Sequence, residues 1–396
     1  MCETETRPLE AEVLVVGAGP AGLAVAACLA QAGLRAEIIE RNDTVGSSWR
    51  KHYSRLRLHT VRQHSALPHL PFPADHPRYV ERQQVVDYLA RYADKFQLRP
   101  WFGEEAECIT REHGRWLTRC RSGRAFLTRS VVVATGANGR ANRPAFPGEE
   151  GYRGRVLHSE AYRDAQPFAG QRVLVVGMGN TGAEIALDLA RNGGRATISV
   201  RSPVNIVRRD VLGRPVQVTS MLLSHLPHAW ADAIAIAFRK LTIGNLRPHG
   251  IETPAMSPLR QLREQGRTPV IDIGTVDLVR RGRIAVRPGI AAFTLEGVRF
   301  LDGREESFDA VILATGYQAE VQRLFPQAAV PVQDKGLPTP VSGSGALAGV
   351  YFVGYDVRQP GGVLHTIGQQ ARQVTAQIAA SRSASEAAPD GVRVAT

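Results

Sequence analysis

One pattern occurs twice in this chain: a short apolar run, a glycine-rich turn, an Ala- and Leu-rich stretch, and a second apolar run. The first copy starts with VLVVGAGPAG at Val13, and the second starts with RVLVVGMGNTG at Arg172. Each copy reads as a buried strand, a tight turn, a helix and a second, parallel strand, which together form a βαβ unit. Since the two copies begin about 160 residues apart, we expect two separate α/β domains.

The first glycine-rich turn has the spacing of a dinucleotide site. Gly17, Gly19 and Gly22 form GxGxxG directly after a strand. The first glycine permits the turn, the second lets the backbone approach a pyrophosphate, and the third packs the helix on the strand. The N–H groups at the start of the helix then face the phosphates. Glu40 closes the second strand, 18 residues after Gly22, where a carboxylate can accept both hydroxyls of a ribose.

The second turn has the same spacing but the opposite charge. Gly177, Gly179 and Gly182 form its GxGxxG, and Arg201 follows Gly182 by 19 residues. An acid at this place would repel a 2′-phosphate, whereas Arg201 with Ser202 would bind one. The sequence therefore predicts a ribose diol in the first site and NADPH in the second. The alternative for Arg201 is a surface arginine at a strand end.

Two later strands end in the same letters, ATG, and their order suggests how the domains are arranged. One strand spans residues 130–136 and the other 309–316, so each glycine-rich turn precedes an ATG strand. We predict an α/β fold of two nested Rossmann-like, three-layer dinucleotide-binding domains, with the NADPH domain inserted in the FAD domain. The predicted boundaries are 1–168 and 301–380 for the FAD domain, 169–300 for the NADPH domain with a pocket-forming insertion at 205–267, and 381–396 for a flexible tail.

The charge of the chain is basic, with 49 basic and 37 acidic residues and a net charge of +12. The basic residues are scattered, and no run of five or more occurs. We interpret this as a basic, solvated surface that favours dinucleotides and anionic substrates, and we expect no nucleic-acid partner.

The four cysteines, Cys2, Cys28, Cys108 and Cys120, form no CxxC pair and no zinc spacing. We therefore expect no metal site and no disulfide framework, which suits a reducing cytoplasm. Disulfide reductases share the nested architecture but need a redox cysteine pair near the flavin, so that class is nearly excluded.

The same sequence argues against export and membrane insertion. The N-terminal letters MCETETRPLEAE lack an apolar signal core. The longest apolar stretch, Ala229 to Leu241, is too short to cross a bilayer, which needs roughly 20 apolar residues. We expect this stretch to form a buried or cleft-lining helix. We also expect the protein to be cytoplasmic and to be a monomer or a homodimer.

A third motif resembles a known family. The letters YRGRVLHSEAY, from Tyr152 to Tyr162, match the FxGxxxHxxx[YF] signature of the class B flavin-dependent monooxygenases, with Tyr152 in place of the leading Phe. The chain is also similar to the YUCCA-type branch, the indole-3-pyruvate monooxygenases. The segments that carry this likeness are ERNDTVGSSW at 40–49, RLRLH at 55–59, LPHLPFP at 67–73, TPVIDIG at 268–274 and residues 309–317.

The resemblance implies an FAD-containing, NADPH- and oxygen-dependent monooxygenase that forms a C4a-(hydro)peroxyflavin and acts on a small molecule. The expected reaction is oxidative decarboxylation of an aromatic 2-oxo acid such as indole-3-pyruvate. One alternative is an N- or S-oxygenating or Baeyer–Villiger-type tailoring enzyme, although Arg163 after Tyr162 departs from the Baeyer–Villiger signature. Another is a flavin redox sensor or binding protein that does not oxygenate.

The resemblance also implies site residues. His59 stands where many class B members hold the flavin with an Asn, and we assign catalytic roles to His59, Arg57 and Asn180. Arg57 or Lys51 could neutralise a substrate carboxylate, and ion pairing elsewhere is an equal alternative for Arg57. His158 is expected to be a structural residue at the domain hinge. The predicted FAD contacts are Gly17, Gly19, Pro20, Ala21, Gly22, Glu40, Arg41, Gly46, Ser48, Trp49, His59, Thr135, Gly136, Gly354 and Asp356. The predicted NADPH contacts are Gly177, Gly179, Asn180, Thr181, Gly182, Arg201, Ser202, Ala314, Thr315, Gly316 and Tyr317.

Overall fold

The structure, a computed structural model, describes residues 7–387. Its strands are β1 (Leu9–Val16), β2 (Ala36–Glu40), β3 (Trp101–Phe102), β4 (Ala106–Glu112), β5 (Arg115–Cys120), β6 (Ala125–Val133), β7 (Arg140–Ala141), β8 (Arg155–His158), β9 (Arg172–Val176), β10 (Arg195–Ser199), β11 (Ile206–Arg208), β12 (Asp210–Val211), β13 (Arg214–Pro215), β14 (Val270–Asp272), β15 (Ala285–Arg287), β16 (Ile290–Phe293), β17 (Gly297–Phe300), β18 (Glu305–Ser307), β19 (Ala310–Leu313), β20 (Tyr317–Gln318) and β21 (Val350–Phe352). Its α-helices are α1 (Pro20–Gln31), α2 (Ser47–Arg50), α3 (Arg82–Lys95), α4 (Asn180–Arg191), α5 (Val216–Leu223), α6 (His228–Ile243), α7 (Pro258–Gln265), α8 (Thr275–Arg280) and α9 (Val363–Ala387).

The first sheet is built around β1, which lies between β2 and β6 and is parallel to both. The strand order is β3-β2-β1-β6-β5-β4, and β21 also pairs with β6. Residues 13–16 of β1 are buried because helices cover a parallel sheet on its faces, which explains the unbroken apolar run VLVV. Helix α1 follows β1 and packs against the long C-terminal helix α9.

The second sheet repeats this plan with five parallel strands in the order β15-β10-β9-β19-β8. Its central strand β9 leads into α4 as β1 leads into α1. A three-stranded antiparallel sheet, β16-β17-β18, is formed by the segment between β15 and β19. The α/β fold class predicted from the two βαβ patterns is thereby confirmed.

The predicted domain boundaries differ from the way the strands are paired. Both β8 and β19 pair with strands of the second sheet, although residues 155–158 were assigned to the FAD domain and residues 310–313 to its second part. Each ATG strand pairs with the β-strand that carries its own glycine turn, so the second sheet runs from β8 to β19. The chain passes into and out of this region at β7 and β20, which pair with each other.

Both the predicted tail and the predicted insertion contain helices. Helix α9 continues to Ala387, so the first seven residues of the predicted flexible tail (381–387) are helical, and residues 388–396 lie outside the described residues. Helices α5, α6 and α7 all fall within the predicted insertion at 205–267. Across residues 7–387, no helix has the length and apolar character needed to cross a membrane.

Candidate cofactor and substrate site

The first glycine loop, residues 17–22, turns sharply from β1 into α1. The N–H of Gly17 donates to the carbonyl of Ile39 at 2.8 Å, and Gly17 adopts a positive φ of 110°. A Cβ on Gly17 would lie 2.6 Å from the carbonyl oxygen of Ala134, and one on Gly22 would lie 1.8 Å from that of Gly17. A Cβ on Gly19 would meet no atom within 4 Å. Two glycines therefore close the turn, and the third leaves open space at the start of the helix, as a pyrophosphate requires.

Glu40 faces this loop from the end of β2. Its side chain is buried, and Oε2 accepts a 2.8 Å hydrogen bond from the N–H of Ala18. Oε1 accepts from the N–H of Asn42 at 3.0 Å and from the Asn42 side chain. A carboxylate has about four acceptor positions, so Glu40 keeps capacity for ribose hydroxyls while these bonds fix its orientation.

Other residues predicted to bind FAD belong to segments that adjoin the first glycine loop. Pro20 and Ala21 open α1, and Gly46 donates its N–H to the carbonyl of Ala18 at 3.0 Å. Gly46 caps the short helix α2, which contains Ser48 and Trp49. Arg41 and Ser48 are exposed and Trp49 is half-buried. A second short helix therefore begins beside the loop.

The C-terminal strand β21 brings further predicted residues to the same place. A Cβ on Gly354 would lie only 2.9 Å from Cβ of Ala21, so a glycine is needed where this segment crosses α1. Asp356 is half-buried, and its Oδ1 accepts from the N–H of Arg358 at 2.9 Å, a turn contact that leaves its predicted ribityl contact untested.

Two residues that the sequence analysis missed hold this region together. The phenol oxygen of Tyr355 accepts from the N–H of Thr135 at 3.0 Å and lies 2.7 Å from the Thr135 hydroxyl, next to Gly136 in the first ATG loop. Burial raises the pKa of Tyr355 to about 12, so it stays protonated. The buried side chain of Gln370 accepts from the N–H of Gly354 at 3.0 Å. Tyr355 could have been found from the sequence, because it directly follows Gly354, a predicted FAD contact. Nothing in the sequence around Gln370, which lies within α9, indicated its role.

The second glycine loop, residues 177–182, reproduces the first. The N–H of Gly177 donates to the carbonyl of Ser199 at 3.0 Å, and its φ is 105°. A Cβ on Gly177 would lie 2.7 Å from the carbonyl oxygen of Ala314, and one on Gly182 would lie 2.0 Å from that of Gly177. A Cβ on Gly179 again meets nothing within 4 Å. The two loops are thus two copies of one dinucleotide-type turn.

The likeness of the two loops corrects the position assigned to Arg201. Since Ile39 and Ser199 bond the two loops in the same way, the residue that corresponds to Glu40 is Val200, and Arg201 follows it. Arg201 and Ser202 are exposed, and among residues 7–387 Arg201 has no hydrogen-bond or ion-pair partner. Val200 at the end of the strand carries no negative charge that would repel a 2′-phosphate, and the guanidinium of Arg201 next to it could still bind one.

Asn180 begins α4 beside the half-buried Thr181, and its carboxamide is occupied. Oδ1 accepts from the N–H of Ile271 at 2.7 Å, and Nδ2 donates to the carbonyl of Pro269 at 3.3 Å. The predicted catalytic role is therefore not supported by its contacts. Asn180 instead holds the segment TPVIDIG (268–274) against α4 through these two hydrogen bonds. The two segments are far apart in the sequence, so this contact could not be predicted from it.

The second ATG loop is tied to the family signature through His158. The ring nitrogen Nδ1 of His158 accepts from the N–H of Glu160 at 3.2 Å, so Nε2 carries the proton and donates to the carbonyl of Gly316 at 3.1 Å. The ring also stands edge-on to Tyr317, with the centroids 5.1 Å apart. Burial lowers the pKa of His158. These contacts support the predicted structural role at the junction.

Thr315 takes part in the same junction. Its carbonyl accepts from the side chain of Asn142 at 3.2 Å, and its hydroxyl donates to the carbonyl of Asn142. The N–H of Asn142 donates to the carbonyl of Gly316 at 2.9 Å. The second ATG loop is thus bound to the segment that follows β7.

His59 joins the first domain to the second. Its Nε2 lies 2.7 Å from Oε1 of Glu184, a residue of α4 that is 3% exposed. Burial, together with the charge of Glu184, raises the pKa of the neighbouring Tyr53, which therefore stays protonated. His59 consequently sits next to the helix that carries the second glycine loop.

An apolar cavity of about 150 Å³ opens beside His59. It is lined by side chains of α5, α6 and α7, by residues 268–271 and by the loop 357–363. Ile234, Ala235 and Phe238 of α6 face it, so the stretch predicted to form a cleft-lining helix does so, although Trp230 of the same helix is 70% exposed. Of the described residues that line the cavity, only His59 is ionisable.

The arginine and lysine proposed to neutralise a substrate carboxylate lie elsewhere. Arg57 pairs with Glu81 at 2.6 Å and is half exposed, and Lys51 donates to the side chain of Asn42 at 2.9 Å. Neither lines the cavity. The alternative interpretation of Arg57, an ion pair at the surface, is the one that the geometry supports.

Comparison with known proteins places the chain in a family. A family model described as pyridine nucleotide-disulphide oxidoreductase matches residues 14–238. The rice (Oryza sativa subsp. japonica) protein named indole-3-pyruvate monooxygenase YUCCA1 is 39% identical over 352 residues, covering 87% of this chain and 86% of its own. The chain belongs to the class B flavin monooxygenases, in the YUCCA branch. An Arabidopsis thaliana relative, probable indole-3-pyruvate monooxygenase YUCCA4, is 35% identical over 92% of this chain and 90% of its own.

Solved structures agree with a monooxygenase of this class. A flavin-containing monooxygenase from Stenotrophomonas maltophilia has a TM-score of 0.73 and 25% identity, covering 94% of this chain and 99% of its own. A cyclohexanone monooxygenase (TM-score 0.72, 19% identity, covering 95% and 88%) shares the fold. Of the cysteines in the described part of the chain, Cys28, Cys108 and Cys120 are free, and burial raises the pKa of Cys28 to about 11.

Proposed function

We propose that this chain binds FAD at the first glycine loop and NADPH at the second, and that it uses oxygen to decarboxylate an aromatic 2-oxo acid such as indole-3-pyruvate. The observation that carries the proposal is the position of His59. It lies at the wall of an apolar cavity and in contact with Glu184, on the helix that starts at the second glycine loop. One ionisable side chain, His59, therefore lines the apolar cavity and also contacts the helix that follows the second dinucleotide-type loop.

The two loops fit the two cofactors for different reasons. Glu40 offers a fixed carboxylate where a ribose diol is expected, and the free Arg201 offers a guanidinium where a 2′-phosphate is expected. Both open positions, at Gly19 and Gly179, leave room for phosphates at a helix N-terminus. An FAD held at the first loop and an NADPH held at the second would supply the hydride-transfer and oxygen chemistry, which belongs to the cofactors themselves.

The protein has two tasks in this reaction. The apolar side chains of α5, α6 and α7 exclude water from the cavity, which favours oxygen transfer over release of peroxide. His59 can donate a hydrogen bond to the reacting oxygen or to the substrate, and Glu184 orients its ring. The overall reaction turns the 2-oxo acid, O2, NADPH and one proton into the shortened acid, CO2, NADP⁺ and water.

The absence of a basic side chain from the described cavity lining favours a second candidate function, the oxygenation of an apolar amine or sulfide. No arginine or lysine among the described residues lines the cavity, so a substrate carboxylate would depend on His59 and on hydroxyls such as those of Thr60 and Thr268. A soft, neutral nitrogen or sulfur in the substrate would need no positively charged partner in the cavity.

The predicted cytoplasmic location and the predicted monomeric or homodimeric state stay predictions.

The experiment that separates these proposals measures stoichiometry. Protein purified with its flavin would be supplied with NADPH, air and indole-3-pyruvate, and CO2 release would be compared with NADPH consumption. We expect close to one CO2 per NADPH. A colourless protein, or NADPH consumption without CO2, contradicts the leading proposal, and an N- or S-oxide formed from a matching amine or sulfide supports the second candidate.

A further inference from the structure

Helix α5 is attached to the rest of the molecule in an unusual way. It forms one wall of the cavity, yet its one buried residue is polar, Gln217, with 6% of its surface exposed. Two apolar residues of α5, Val216 and Leu223, are only partly buried and line the cavity, and a third, Leu222, is exposed. A helix without buried apolar residues gains little from the hydrophobic effect, so its position depends on the contacts of Gln217.

The carboxamide of Gln217 bonds two loops that lie apart in the sequence. Its Oε1 accepts a 2.7 Å hydrogen bond from the N–H of Val61, two residues after His59. Its Nε2 donates to the carbonyl of Gly361, in the loop that leads into α9. Both loops contribute cavity-lining residues, among them Thr60 and Gly362.

Only a carboxamide of this length meets both demands. A backbone N–H needs an acceptor and a backbone carbonyl needs a donor, and Gln offers one of each on a single planar group. A leucine would offer neither, and a charged glutamate would satisfy Val61 but repel the carbonyl of Gly361. Buried polar groups without partners are costly, so either change would loosen α5 from both loops.

We propose that Gln217 is a positioning residue that clamps α5 onto the loops at Val61 and Gly361, and so keeps water out of the cavity and His59 in place while oxygen is transferred. This inference rests on the proposed function, because it assigns the clamp a role in coupling NADPH oxidation to product. Gln217 acts through the two loops and does not itself need to touch the reacting atoms.

The experiment compares the holoenzyme with the variants Gln217→Leu and Gln217→Glu. The first readout is hydrogen–deuterium exchange of the peptides that contain residues 59–65 and 359–363. The second is the share of consumed NADPH that appears as hydrogen peroxide. We expect both variants to exchange faster in both peptides and to raise the peroxide share roughly fivefold, in line with the loss of a buried hydrogen-bond pair. The KM for NADPH should stay within about twofold.

The matched control is Gln322→Leu. The side chain of Gln322 also bridges backbone groups, accepting from the N–H of Val330 and donating to the carbonyls of Phe325 and Ala328, but it does not line the cavity. It should leave the peroxide share unchanged. Should Gln217→Leu not fold, the nearly isosteric Gln217→Glu decides alone.

Two results would overturn the clamp. One is unchanged exchange in both peptides of the Gln217 variants, and the other is faster exchange with a peroxide share equal to that of the wild type. If the wild type forms no oxygenated product, the proposed function fails, and the exchange measurement still decides whether Gln217 holds the two loops.

Discussion

Nε2 of His59 lies 2.7 Å from Oε1 of Glu184, across the border between the two dinucleotide-type regions. Glu184 is buried in α4, and its Oε1 has no hydrogen bond of normal geometry among the described residues. The imidazole and the carboxylate are therefore in close contact without a hydrogen bond of normal geometry. It links the position of the cavity-wall imidazole to the helix on which NADPH is proposed to bind.

Replacing Glu184 by Gln should lower product formation by about tenfold, because the buried carboxylate that holds the His59 ring by close contact would be lost. The KM for NADPH should change by less than about twofold. Steady-state kinetics with indole-3-pyruvate provide the measurement. Glu81→Gln is the control, since it breaks the exposed pair with Arg57 and should change neither value. Equal effects of the two variants would contradict the role of Glu184.

Replacing Arg201 by Ala should raise the KM for NADPH by about 10- to 100-fold, because a charge-assisted contact with the 2′-phosphate would be lost. The KM for NADH should change little, as that cofactor lacks the phosphate. The exposed Arg283 gives a control that removes one positive charge elsewhere. Equal increases for NADPH and NADH would remove the role proposed for Arg201.

Replacing glycine by alanine should have different effects at two positions of the first glycine loop, Gly19 and Gly22. Gly19→Ala should leave the melting temperature of the apoprotein unchanged but weaken flavin binding at least roughly tenfold, since its methyl group enters open space meant for phosphate. Gly22→Ala should destabilise the fold by about 1–3 kcal/mol or more, since its Cβ would collide with the Gly17 carbonyl. Thermal melting and flavin titration separate the two. A normal flavin affinity in Gly19→Ala would argue against the phosphate position.

The lowered pKa of His158 predicts a loss of stability in mild acid. Burial disfavours its charged form, so its pKa in the folded state lies below the ordinary value of 6.5. As the pH falls through 6.5, the unfolded chain binds the proton first, and the free energy of unfolding decreases. Urea unfolding between about pH 7.5 and pH 5.5 should therefore give a smaller slope in His158→Gln than in the wild type. The exposed His228→Gln should keep the wild-type slope, and an identical slope in all three proteins would contradict the assignment.

Much of the fold could be predicted because local patterns determine it. The apolar run of β1, the turn at Gly17 and the buried start of α1 follow one another along the chain, and the second copy repeats them. The predicted boundary at residue 301 separates β19 from the sheet that contains it, because strand pairing depends on register with β8 and β9 and not on the order of the segments.

The candidate site was predictable where a residue acts through its own position in a motif, as with Glu40 and His158. It was not predictable where a distant partner decides. Asn180 bonds residues about 90 positions away, and Gln217 bonds Val61 and Gly361 across about 150 positions on either side. The choice between the two roles considered for Arg57 likewise depended on a partner outside its own motif, Glu81, with which it forms an exposed ion pair.

The most direct test of the central claim follows the oxygen itself. The holoenzyme would turn over indole-3-pyruvate with NADPH under ¹⁸O2, and mass spectrometry would determine the label in the acid product. We expect one ¹⁸O atom per product carboxylate, with NADPH consumed in proportion. An unlabelled product, with all the label recovered in hydrogen peroxide, would contradict it.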